Sequence, residues 1–103
     1  MHKSNKEKLN KLINIALKYK ESGDLLNAKI NLKKVIVLDS KSFIALNNLG
    51  NIYSATNDQI NAKRFFLKAI NIKPDYSKAI FNLALLNQEN GNLIEAGKLY
   101  KEA

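Results

Sequence analysis

The chain has no cysteine and no tryptophan, and only one proline, one histidine and one arginine among its 103 residues. Without cysteine there is no disulfide and no thiol chemistry, and the sequence carries no mark of its redox compartment. The single histidine is His2, so no histidine cluster can form from this chain to hold a metal or relay protons. Glycine is sparse and nowhere forms a phosphate-cradling run. The longest apolar runs, Val35 to Leu38 among them, are four residues, far short of the ~20 that cross a bilayer, and no signal-peptide segment follows the lysine-rich start. The expectation is a cytoplasmic chain with no membrane insertion. Acidic residues are few and scattered. Asp24, Asp39, Asp58 and Asp75 fall at breaks between helical patterns, where capping explains them, and Glu21 and Glu89 stand far apart. No pair is spaced to share a metal or to divide acid and base roles, so neither an enzyme nor a cofactor site is expected.

What the chain does have is apolar content and positive charge. With 46% hydrophobic and 25% charged residues it can bury a core as one small domain. Its net charge of +8 invites a polyanion reading, in which Lys33, Lys34, Lys63 and Arg64 would matter most. That charge is almost all lysine, sixteen against one arginine. Arginine's planar fork is the usual reader of phosphate and base edges. The balance therefore favours a solvated lysine face, and no specific nucleic-acid partner is expected.

Apolar residues recur at helical spacing throughout, and nothing reads as a strand. Ser4 and Glu7 form a capping-box pattern that predicts a first helix over about 5–22. Gly23-Asp24 offers a left-handed exit and a new N-cap, leading into a helix over 25–38 whose apolar face is Leu25, Ala28, Leu32 and Val35. Further helices are predicted over about 42–55 and 59–72, divided by Asn57-Asp58. Lys73-Pro74-Asp75 ends the fourth, with Asp75 placed to cap a fifth over 76–90. Gly91 then precedes a sixth from Leu93.

The stretch from Phe43 to Asp75 sets a pattern of Leu46, Leu49, Gly50, Tyr53, Ala62, Phe66, Ala69 and Pro74. Small residues at Gly50 and Ala62 would let two helices approach, with Leu49, Tyr53 and Phe66 filling the space beside them. One period of about 34 residues earlier stand Leu12, Ile15, Ala16, Tyr19, Ala28, Leu32 and Val35. One period later stand Ile80, Leu83, Ala84, Asn87, Ala96, Tyr100 and Ala103. In its motifs "LNNLGNIY" and "NAKRFFLKAINIKPD" and in this period, the chain resembles the tetratricopeptide repeat (TPR) family. It departs in having Leu46 where a large aromatic is usual, Ser40 for proline, Asn87 for an aromatic, and Ala16 and Ala84 for glycine. The resemblance implies an all-α solenoid of antiparallel helix pairs. Its units are 1–8 as an N-terminal extension of the first helix, 9–42, 43–76, and an incomplete third repeat over 77–103 without a capping helix.

In that family the first helix of each pair lines a concave groove, which implies a groove formed by Ile13, Asn14, Leu17, Asn48, Asn51, Lys78, Phe81, Asn82 and Leu85. Asn14, Asn48 and Asn82 hold one repeat position. Asparagine is a mediocre helix former, and its amide offers both donors and an acceptor, the complement of a peptide bond. The row resembles the asparagine ladder of superhelical TPR proteins such as the O-GlcNAc transferases, although amides there can equally bond neighbouring helices. The carboxylate clamp by which some members hold chaperone tails would need Lys, Asn, Asn, Lys and Arg at 13, 17, 48, 78 and 82. Here Ile13, Leu17, Asn48, Lys78 and Asn82 match at two, so no chaperone-tail binding is expected. The implied function is a protein-interaction module that takes a partner peptide or segment in its groove. The alternative is a scaffold, either a fragment of a longer array or a chain that self-associates through an uncapped last repeat with Leu99 and Tyr100 uncovered.

Overall fold

The computed structural model describes residues 3–89, and over that span the chain is five helices with no strand. They are α1 (Lys3–Glu21), α2 (Leu25–Leu38), α3 (Phe43–Ala55), α4 (Gln59–Ile72) and α5 (Ser77–Glu89). The expected Gly91, the sixth helix, Leu99 and Tyr100 lie outside the described residues.

Two turns of the same build fold α1 onto α2 and α3 onto α4. Gly23 and Asn57 occupy the left-handed region, at φ 86° and 65°. Glycine has no Cβ to clash there, and asparagine is among the few other residues that tolerate it. The following N–H reaches back five residues, from Asp24 to the Tyr19 carbonyl and from Asp58 to that of Tyr53, each at 2.8 Å. Together with the shorter bonds Gly23 to Lys20 and Asn57 to Ser54, both 3.1 Å, this is the paired closure of a Schellman motif. Each aspartate then caps the next helix. Asp24 Oδ1 accepts the Asn27 N–H at 3.1 Å and Oδ2 accepts the Asn27 amide at 2.8 Å. Asp58 repeats both bonds with Asn61, at 3.2 and 2.9 Å. Because these bonds favour the ionised carboxylates, both aspartates are held below the ordinary carboxylate range.

Two local expectations differ from the structure. The first helix is already under way at Lys3, so Ser4 lies inside it rather than capping it. Asp75 does not cap α5, which begins at Ser77; its carboxylate meets Lys73 Nζ at 3.3 Å, in an exposed pair worth little. The α4–α5 turn is set instead by the Tyr76 N–H bonding the Lys73 carbonyl at 3.0 Å and by Tyr76 packing edge-on against Phe43 at 4.8 Å.

Three apolar clusters tie the helices in sequence, as the helical repeat solenoid requires. Ala16, Ala28, Leu32 and Val35 meet Ala45, Leu49 and Ile52 between the first hairpin and α3. Ala62 and Phe66 of α4 meet Leu83 and Leu86 of α5, while Leu46, Ala69 and Ala79 join α3, α4 and α5. Within the second hairpin, Gly50 is pressed against the Phe66 ring: a Cβ there would stand 2.5 Å from Cδ1 and Cε1. One period earlier the smaller Leu32 accompanies Ala16, both fully buried in one cluster. Ring size and Cβ thus trade off at the same place in the two hairpins.

Candidate functional site

The first helices of the hairpins, with α5, enclose a hollow of about 430 Å³. Its lining is Leu17 of α1, Ile44, Asn47, Asn48 and Asn51 of α3, Tyr76 at the turn, and Lys78, Phe81 and Asn82 of α5. Of the residues expected in the groove, Leu17, Asn48, Asn51, Lys78, Phe81 and Asn82 come together here. Ile13, Asn14 and Leu85 are not part of the lining; Asn14 is exposed on α1 and Leu85 is 37% exposed on α5.

The three repeat-related amides have different surroundings. Asn48 donates to the Ile44 carbonyl at 2.9 Å, one turn back on its own helix. Asn82 reaches across to α3 and donates to Asn47 Oδ1 at 3.0 Å. Asn47 is the buried member, only 4% exposed, and its side chain also hydrogen-bonds the Tyr76 hydroxyl. Burial pushes that phenol above its ordinary pKa, and the bond from Asn47 draws it part of the way back. A buried amide left unpaired is expensive, so Asn47 fixes the approach of α5 and the Tyr76 turn to α3. The groove expected from the sequence does not single out Asn47. The signal that separates it from Asn48 is the alternation of faces along α3, where Asn47 falls between the buried Leu46 and the half-exposed Asn48.

The floor of the hollow is therefore a fixed amide pair, and its rim carries apolar surface. Ile44 and Phe81 are 41% and 50% exposed, beside the half-buried Asn48, Asn51 and Asn82. Among the described residues, Lys78 is the one ionisable cation of the lining, and no carboxylate belongs to it. Among the described residues no three of His, Cys, Asp and Glu gather where they could hold a metal, and no helix is long and apolar enough to cross a membrane. The arrangement can bond a neutral polar ligand through amides and cover its apolar parts with Ile44, Leu17 and Phe81.

Two sequence models, each described as a tetratricopeptide repeat, match residues 44–76 and 65–98, together more than half of the chain. No curated protein matches the sequence. Several solved structures are similar in fold at low identity. The second TPR of Spaghetti (RPAP3), bound to the HSP90 peptide SRMEEVD, is 19% identical with a TM-score of 0.87, over 96% of this chain and 92% of that one. The Sgt2 TPR domain from Aspergillus fumigatus is 21% identical with a TM-score of 0.86, over 92% of this chain and 63% of that one. The MamA protein is 22% identical with a TM-score of 0.83; 91% of this chain is covered, and it spans about half, 51%, of MamA.

Proposed function

The chain belongs to the tetratricopeptide repeat family, and on that premise we propose that it is a non-enzymatic interaction module that holds an extended partner segment in the hollow between α1, α3 and α5. The observation that carries this reading is the composition of the lining, with four asparagines beside the exposed Ile44 and Phe81. Asn48 and Asn51 supply amides to the partner's main chain, while Leu17, Ile44 and Phe81 cover its side chains. The expected groove members Ile13, Asn14 and Leu85 extend this surface along the first helices. Because the Asn47–Asn82 bond already holds α3 and α5 together, little is left to order on binding. The setting proposed for this activity is cytoplasmic.

The Spaghetti domain holds an acidic chaperone peptide. In this chain the described lining of the hollow offers one cation, Lys78, beside amides, a tyrosine and apolar groups. A neutral segment recognised by its backbone suits that lining better than a tail with several carboxylates. The test is fluorescence anisotropy against an array of end-capped neutral octapeptides, with SRMEEVD as the acidic comparison. Neutral peptides should bind, N-methylation of their backbone should abolish binding, and Asn48→Ala with Asn51→Ala or Phe81→Ser should weaken it about tenfold or more, on the scale of a lost bond or apolar contact at a site centre. These variants leave the Asn47–Asn82 bond intact. If no neutral peptide binds, or SRMEEVD binds best and the variants change nothing, the proposal is wrong.

A further inference from the structure

A second apolar surface lies on the opposite side of the first hairpin. Between α1 and α2 runs a trench of about 620 Å³, lined by Leu12, Ile30, Val37 and Leu38 with Lys8, Lys33 and Lys34 at its edges. Its α2 members sit on the face turned away from the core residues Ala28, Leu32 and Val35. Val37 is 84% exposed and Leu38 54%.

Repeat equivalence bears on the α1 wall of this surface. Leu46 and Ile80, the counterparts of the half-buried Leu12, are 2% and 5% exposed. Leu49 and Leu83 are 1% and 3% exposed, whereas their counterpart Ile15, about one turn along α1 from Leu12, is 37%. α2 lies against Leu49 and α4 against Leu83, whereas Leu12 is half-buried and Ile15 more open; the α2 wall shows no such contrast, since its counterparts Arg64, Leu67, Lys68 and Asn71 on α4 are exposed too. The trench is thus a furrow between two helices with an apolar floor and cationic edges, and among the described residues no carboxylate lines it.

We propose that this trench is a docking site for one acidic amphipathic helix of a partner protein, separate from the hollow that takes the extended segment. Leucine-type side chains spaced at three and four along such a helix would lie on Leu12, Ile30 and Val37, and flanking carboxylates would meet Lys8, Lys33 and Lys34. A second copy of this chain is the poorer occupant, because it carries a net charge of +8 and would set lysine against lysine. A nucleic-acid backbone would use the lysines and leave the apolar floor in water.

The probe is a labelled synthetic helix of about 18 residues, long enough for five turns, with leucine on one face and glutamate beside it. Two controls replace its glutamates by lysine or its leucines by serine. The acidic amphipathic peptide should bind the wild-type chain. Val37→Asp, and separately Lys33→Glu with Lys34→Glu, should each weaken it about tenfold or more, whereas Phe81→Ser in the other site should leave it unchanged. All three trench positions are exposed, so folding by circular dichroism should match the wild type. Equal binding of the lysine or serine peptide, no binding at all, or sedimentation showing self-association that Val37→Asp abolishes would each overturn the proposal.

Discussion

Replacing Gly50 by alanine sets two effects of known size against each other. On an open helix face the change stabilises a protein by about 1 kcal/mol, because alanine loses less backbone freedom on folding. At Gly50 the added Cβ would stand 2.5 Å from both Cδ1 and Cε1 of Phe66, closer than such atoms ever sit. The ring cannot swing aside, since Phe66 is 1% exposed and packed with Ala62, Leu83 and Leu86. Overpacking of this kind costs about 1–3 kcal/mol, so the net effect should be a destabilisation of up to about 2 kcal/mol. The compensating change is Phe66→Leu, which recreates the Ala16–Leu32 arrangement of the first hairpin. Alone it leaves a void and costs about 1–2 kcal/mol. In its presence the Cβ has room, and Gly50→Ala should turn stabilising by about 1 kcal/mol. Urea unfolding of the four chains, followed by far-UV circular dichroism with slopes compared, completes the double-mutant cycle. A coupling of about 1–3 kcal/mol is expected. If Gly50→Ala stabilises the wild-type chain, or the two changes add within about 0.5 kcal/mol, the ring does not dictate the glycine.

Two further outcomes follow from the caps and the core. Asp24 and Asp58 have folded-state pKa values depressed by their bonds to Asn27 and Asn61. Their contribution is therefore present above the unfolded carboxylate value, about 4, and is lost as the pH falls through the lower folded value. Thermal unfolding should show stability declining below about pH 4, with that decline reduced in Asp24→Asn/Asp58→Asn; an unchanged acid limb would count against the caps. Asn87 is 1% exposed and its Nδ2 has no hydrogen-bond partner among the described residues, so Asn87→Leu should raise stability by about 1 kcal/mol or more in urea titration. A loss of stability instead would mean that the amide is paired.

Helix limits and turn chemistry were legible in the residues because their causes are local. The spans 25–38 and 59–72 were expected and found, since Asp24 and Asp58 cap helices through bonds three residues away and Gly23 and Asn57 supply the left-handed exits. Ser4 and Asp75 show the limit of the same reasoning. Each is a capping residue type before an apolar pattern, yet α1 is already helical at Lys3 and Asp75 pairs with Lys73. A cap is decided by where the backbone leaves the helix, and residue type alone only permits it.

The period of the sequence determined by itself that the chain is all helix, that the helices pair, and that small residues such as Gly50 and Ala62 sit at close approaches. Only the tertiary structure decided what residues at one repeat position do. Asn48 bonds its own helix while Asn82 bonds Asn47, and Ile15 stands 37% exposed where Leu49 is 1%. Spacing along a helix fixes the direction of a side chain, but its burial and its partners depend on which neighbouring helix lies alongside, and that neighbour differs from one repeat to the next.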